Sequence, residues 1–155
     1  MSPRAAARLR TLGFDRAYDY AGGKEDWLDY GLPREGALAA VALAGDLARD
    51  DVPTCGLAES LDEVRRRIAS PWETCLVVDE KRVLLGQVGR RALRESSAAT
   101  AGDAMMEGPS TVRPSEPVEA LRERMRAQDL TMVPVTTPDG RLLGALRVDD
   151  IDRES

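Results

Sequence analysis

Histidine is absent from the chain, which removes the commonest general base and the commonest zinc ligand together. The soft ligands that remain are Cys55 and Cys75, too far apart and without a second pair to form a metal knuckle or a Cys-x-x-Cys redox site. Both read as small reduced core residues. Asp149 and Asp150 follow an apolar run, where carboxylates stabilise the start of a helix whether or not a ligand is bound, and Arg147 beside them reads as a solvated surface arginine. Arg65-Arg66-Arg67 and the series Arg122, Arg124, Arg126 read as solvated helix faces, with a partner- or phosphate-facing patch as the alternative. No residue stands out as catalytic and none as a metal ligand, so the chain is not expected to be an enzyme.

The elements that must position these groups follow from composition and periodicity. The chain has 155 residues, 43% hydrophobic and 32% charged, which is the balance of a folded domain rather than of a disordered segment. Aromatic residues are only 4%, so the core is expected to be aliphatic. A net charge of −5 argues against a general nucleic-acid or anionic-membrane surface. Met1-Ser2-Pro3-Arg4 leads into no signal-like apolar run, and the most apolar stretch, Ala37 to Ala44, is far short of the roughly 20 residues that cross a bilayer. The expectation is a cytoplasmic protein with no nucleic-acid or membrane partner and no required cofactor.

An internal repeat organises the rest. At a spacing of 57, Ala44-Gly45-Asp46 recurs as Ala101-Gly102-Asp103, Thr54 as Thr111, and Leu61, Val64 and Ile68 as Val118, Leu121 and Met125. The spacing then becomes 58: Cys75-Leu76-Val77 matches Val133-Pro134-Val135, and Leu84-Leu85-Gly86 matches Leu142-Leu143-Gly144. A one-residue slip is what a loop insertion produces. The apolar triplets at i, i+3 and i+7 predict a helix in each unit, capped in the first by Ser60 with Glu63 completing a capping box and opened in the second by Pro117. Two strands follow in each: Cys75 to Val78 and Val83 to Val88, then Met132 to Val135 and Leu142 to Leu146. The turns between them are Asp79 to Arg82 and Pro138-Asp139-Gly140, and short helices end the units near Arg90 to Arg94 and Val148 to Arg153. Each unit therefore reads β-α-β-β-α. Two such units packed about a pseudo-twofold axis would bury what neither, at about 50 residues, buries alone. Glu95 to Thr100 reads as the linker.

The ordered set closely resembles a tandem pair of cystathionine-β-synthase-type (CBS) domains, or Bateman module, over about residues 40–153. The second unit carries it best: Asp103-Ala104-Met105-Met106, Ser110-Thr111-Val112-Arg113-Pro114, Met132-Val133-Pro134-Val135, the Asp139-Gly140 turn, and Leu143-Gly144 with Asp149-Asp150-Ile151. The resemblance implies an α/β fold of the α+β type with repeats at 37–95 and 96–155. It implies a non-catalytic regulator that binds AMP, ADP, ATP or S-adenosylmethionine between its repeats, forms a homodimer, and signals to an unknown regulated protein. The implied ligand residues are Thr111, Val112, Val133, Pro134, Arg147 and Asp150. The family's ribose-phosphate signature is Gly, two apolar residues, Thr or Ser, two residues, then Asp. Here it reads Gly144, Arg147, Asp150 in the second unit, with the hydroxyl replaced by arginine. In the first it reads Gly86, Gly89, Ala92, with both polar contacts missing. At most one nucleotide site is implied.

Residues 1–36 differ in character. A helix from Ser2 to Leu12 stopped by Gly13, a strand Arg16 to Tyr20, a turn Ala21-Gly22-Gly23 and a helical turn Glu25 to Tyr30 ending at Gly31 are expected. Leu12-Gly13-Phe14, Gly22-Gly23, Trp27 and Gly31-Leu32-Pro33 resemble the C-terminal end of a rhodanese domain. The cysteine loop such a sulfurtransferase needs would precede this region. The expectation is a truncated rhodanese-like fragment, either a docking remnant or the end of a longer CBS-regulated sulfurtransferase; a ligand-free scaffold is the other alternative. Leu9, Phe14, Tyr18 and Trp27 would be exposed unless packed on the repeats or a partner.

Overall fold

The computed structural model describes residues 12–13, 23–36 and 40–154. Helix α1 spans Gly23–Asp29. The first repeat then contributes α2 (Ala44–Leu47), β1 (Thr54–Cys55), α3 (Leu61–Arg67), β2 (Cys75–Val78), β3 (Leu84–Val88) and α4 (Arg90–Glu95). The second contributes α5 (Ala101–Ala104), β4 (Met106–Glu107), α6 (Val118–Ala127), β5 (Met132–Thr136), β6 (Leu142–Arg147) and α7 (Val148–Glu154). The mixed α/β architecture, the antiparallel strand pairs and the helices that close each repeat are as the periodicity predicted. A four-residue helix opening each repeat was not expected. Ala44-Gly45-Asp46 and its copy are too short to show a helical period, so the repeated tripeptide signalled the duplication without its conformation.

The two copies exchange their opening segments. In the first sheet, of order β1-β2-β3-β4, β4 comes from the second repeat and runs antiparallel to β3, pairing Met106 with Gln87. Reciprocally, Arg49 of the first repeat bridges Ala145 in β6, and Val112 adds a parallel bridge to Val135. The backbone hydrogen bonds come in matched pairs. The Ala44 amide donates to the Glu116 carbonyl and the Ala101 amide to Glu59, each at 2.8 Å. The Val118 amide donates to Ala42 at 3.0 Å and the Leu61 amide to Ala99 at 3.1 Å. Orphan amides at the starts of the helices are thus satisfied by the other repeat. The expected capping box does not form: Ser60 holds the N-cap position of α3 without a side-chain cap bond. Near the pseudo-twofold axis Leu84 donates to Gly140 at 3.0 Å and Leu142 to Arg82 at 2.8 Å.

The glycines of the two Leu-Leu-Gly strands are explained by this exchange. A Cβ on Gly144 would lie 2.5 Å from the Arg49 carbonyl oxygen, and one on Gly86 would lie 2.8 Å from that of Met106. Only glycine lets the foreign strand approach so closely.

Side-chain burial repeats the same pattern. Leu61, Val64, Cys55, Cys75, Val77 and Val88 form the first core together with Ala101 of the second repeat. Val118, Leu121, Met125, Val133, Val135 and Leu146 form the second core together with Ala44 of the first. A third cluster of Val52, Trp72, Leu76, Leu142 and Ala145 joins the repeats. Helices of 7 and 10 residues do not hold alone in water, so these faces stabilise them. The core is aliphatic as expected except for Trp72, buried in the joining cluster.

At the N-terminus the predicted helical turn forms slightly early, as α1, and stops at Gly31 with φ +68°. Asp29 accepts a hydrogen bond from the Ser115 hydroxyl, Arg34 pairs with Asp46, and Gly31 abuts Leu143 and Pro114. Trp27 stays 37% exposed, its indole N–H donating to the Pro33 carbonyl at 2.8 Å. The expected Arg16 to Tyr20 strand, most of the helix from Ser2, and Leu9, Phe14 and Tyr18 lie outside the described residues. No helix among the described residues is long and apolar enough to cross a membrane.

Candidate ligand cleft at Asp150

Asp150 sits in the first turn of α7, directly after β6 delivers Arg147. Its Oδ1 lies 3.6 Å from a guanidinium nitrogen of Arg49, 3.6 Å from one of Arg153 and 4.0 Å from one of Arg147. Its Oδ2 is buried and accepts no hydrogen bond from any described residue. A buried carboxylate oxygen without a donor is unfavourable.

Arg49 reaches this carboxylate from the opposite repeat. Its backbone is fixed by reciprocal 2.9 Å bonds with Ala145. Its guanidinium donates twice to Asp51, at 3.0 and 2.5 Å, and lies 5.3 Å above the Trp72 ring, a cation–π contact. The Arg49 guanidinium holds the Asp51 carboxyl below the usual carboxylate range. Arg147 donates to Asp149 at 2.5 Å. Beside the cluster, between the repeats, is a cavity of about 560 Å³ lined by Trp72, Glu73, Arg90, Met132, Arg147 and Asp149. That volume falls within the range of small-molecule sites.

The six residues nominated from sequence fall into two groups. Arg147 and Asp150 come together as an ion pair. Val112 and Val133 are core residues of the second repeat, and Pro134 is buried, with its carbonyl accepting from the Val112 amide at 3.0 Å. Thr111, just before Val112, is exposed. Sequence reasoning missed Arg49, Asp51, Trp72 and Arg153. The repeat offset relates corresponding positions within the copies, whereas this site is made by contact between copies.

The positions equivalent to Arg49 and Asp150 in the other half are Met106 and Ala92, so this charged cluster is not repeated there. Cys55 and Cys75 are free and buried. A hydrogen bond donated by its S–H to Cys55, together with burial, pushes the Cys75 thiol up, leaving it a protonated core group rather than a nucleophile. No group of three or more Cys, Asp or Glu side chains among the described residues could hold a metal ion.

A duplicated unit with exchanged opening segments and a polar cleft between its copies defines a tandem α+β module. The chain belongs to the CBS domain family, whose domain matches residues 44–99 and 101–155. It is similar to the cytosolic domain of the Mg²⁺ channel MgtE, solved in complex with ATP: 29% identity, TM-score 0.66, covering 77% of this chain and 52% of that one. It is also similar to the CBS domain pair of protein MJ0100, solved with 5′-methylthioadenosine and S-adenosyl-L-methionine: 22% identity, TM-score 0.64, covering 74% of this chain and 95% of that one. A homoserine O-acetyltransferase of Methanohalobium evestigatum is 30% identical over 112 residues, and the match covers 70% of this chain but 23% of that enzyme. Both matched CBS segments begin after residue 43, so they lend no support to the rhodanese resemblance of residues 1–36.

Proposed function

We propose that this chain is a non-catalytic regulatory CBS pair that binds an adenosine-type ligand in the cleft at Asp150 and signals its presence to a partner. The observation that carries the reading is Asp150 Oδ2, buried and without a hydrogen-bond donor among the described residues, next in the chain to Arg147, Val148 and Asp149, which line a cavity of about 560 Å³. A ribose supplies the two hydroxyl donors such a carboxylate lacks. The two solved relatives holding ATP or S-adenosyl-L-methionine support the same ligand class. A ligand acts on a partner only through different affinity for two arrangements, and the exchanged segment carrying Arg49 joins one repeat to the ligand carboxylate of the other.

Thermal unfolding with AMP, ADP, ATP and S-adenosylmethionine tests this. Ligand at 100 times its dissociation constant adds about 2.7 kcal/mol, which raises the midpoint by several degrees in a domain of this size. Asp150→Ala should abolish the shift. The absence of a shift with all four ligands would overturn the reading and favour a ligand-free scaffold.

A further inference from the structure

We propose that the first repeat carries a docking groove for an arginine side chain of a partner protein, presented beside an apolar residue. The inference goes beyond the adenosyl reading, and none of the groove's residues belongs to the Asp150 cluster. The groove, of about 760 Å³, is lined by Gly56 and Leu57 before α3, by Glu63 within it, and by Asp79, Glu80 and Lys81 in the turn between β2 and β3.

The other copy shows what this place accepts. The two backbones match here. Glu59 donates to Gly56 at 3.3 Å as Glu116 does to Arg113 at 3.1 Å, and Asp79 donates to Val83 as Thr137 does to Arg141, both at 3.0 Å. In the second repeat the Arg113 guanidinium binds the turn. It donates to the Thr136 and Thr137 carbonyls at 3.2 and 2.7 Å and to the Thr136 hydroxyl at 3.0 Å. Gly56 stands at the position of Arg113, so the equivalent carbonyls of Val78 and Asp79 lack that guanidinium.

The surrounding charge changes in the direction a guanidinium needs. Ala120, Thr137 and Pro138 of the second repeat correspond to Glu63, Asp79 and Glu80 of the first, and Asp139 corresponds to Lys81. Three carboxylates are gained against one ammonium. Asp79 Oδ1 is engaged by the Lys81 and Val83 amides, each at 2.8 Å, which leaves Oδ2 to accept a charge-assisted bond. Such a groove suits an arginine fork and repels a phosphate.

The apolar contact has a counterpart as well. In the second repeat Pro114 is buried, with Gly31 of the N-terminal segment against it. Its equivalent, Leu57, is 45% exposed. The N-terminal segment is not the missing cover, because Asp29 and Arg34 hold it to Ser115 and Asp46. A residue beside the partner's arginine covers Leu57 as Gly31 covers Pro114.

Nuclear magnetic resonance titration of the whole chain with the peptide acetyl-Leu-Arg-Leu-amide tests the proposal. The amide signals of Gly56, Leu57, Glu80 and Lys81 should shift together and saturate. The same peptide with citrulline, the uncharged isostere of arginine, should bind at least about tenfold more weakly. Gly56→Arg installs the second repeat's own residue where an added Cβ meets only Glu59 Oε1, at 3.9 Å, and it should abolish binding by filling the groove from within. Glu63→Gln combined with Glu80→Gln should weaken the arginine peptide about fivefold and provides the answer if Gly56→Arg fails to fold. No shift at these amides, equal binding of the citrulline peptide, or binding unchanged in the variants overturns the groove while leaving the adenosyl reading standing.

Discussion

The two halves of this molecule share a backbone plan and differ in small clusters of side chains. In one cleft Arg49 stacks on Trp72 and reaches Asp150. In the other, the positions corresponding to Arg49 and Asp150 are Met106 and Ala92. Everything that folds the repeats is duplicated: the core positions, the exchanged amide bonds, the strand glycines, and even the Arg67–Glu59 ion pair, which recurs as Arg124–Glu116. The charged cleft is not. Folding thus constrains both copies, while the proposed recognition uses only one, and the variants below separate the two demands.

Equivalent core substitutions should cost alike. Leu121→Ala and Val64→Ala both empty a fully buried site, and chemical denaturation should show losses of about 3 kcal/mol for the leucine and somewhat less for the valine. A near-neutral result at either would break the equivalence of the two cores. The strand glycines sharpen the contrast. Gly144→Ala drives its Cβ into the Arg49 backbone, whereas Gly86→Ala meets the movable Met105 sulfur as well as a carbonyl. The first should lose about 3 kcal/mol and the second about 2.

Acidification probes a repeated ion pair. The Arg67 guanidinium and the Gly56 amide hold the Glu59 carboxyl below its ordinary 4.5. Its contribution is therefore present above that pH and is lost as pH falls through the lowered value. Glu59→Gln should be less stable at pH 7 by under about 1 kcal/mol, given its partly exposed partner, with a shallower decline in acid. An acid profile identical to wild type would remove Glu59 from the account. Smallest of all, Met106→Ala, at a side chain 61% exposed, should leave stability within about 0.5 kcal/mol in thermal unfolding.

Much of the fold was legible in the sequence because burial leaves a periodic trace. The triplet Leu61, Val64, Ile68 and its copy placed the helices, and Cys75 to Val78 and Met132 to Val135 placed the central strands within a residue. What stayed hidden were contacts between copies. An offset of 57 pairs Arg49 with Met106 but does not say that each sits on the other repeat's sheet, because a Leu-Leu-Gly strand looks the same whichever opening segment it receives. The cleft was half legible for the same reason. Asp150 and Arg147 lie three residues apart at the start of one helix, whereas Arg49 and Trp72 reach them only through the exchange. Val112 and Val133, nominated by resemblance, have their side chains in the second core.

The most direct test is the stoichiometry of AMP binding by titration calorimetry. One AMP per chain, lost on Asp150→Ala, is the predicted result. Two per chain, or binding that survives Asp150→Ala unchanged, would contradict a recognition site built on one side only.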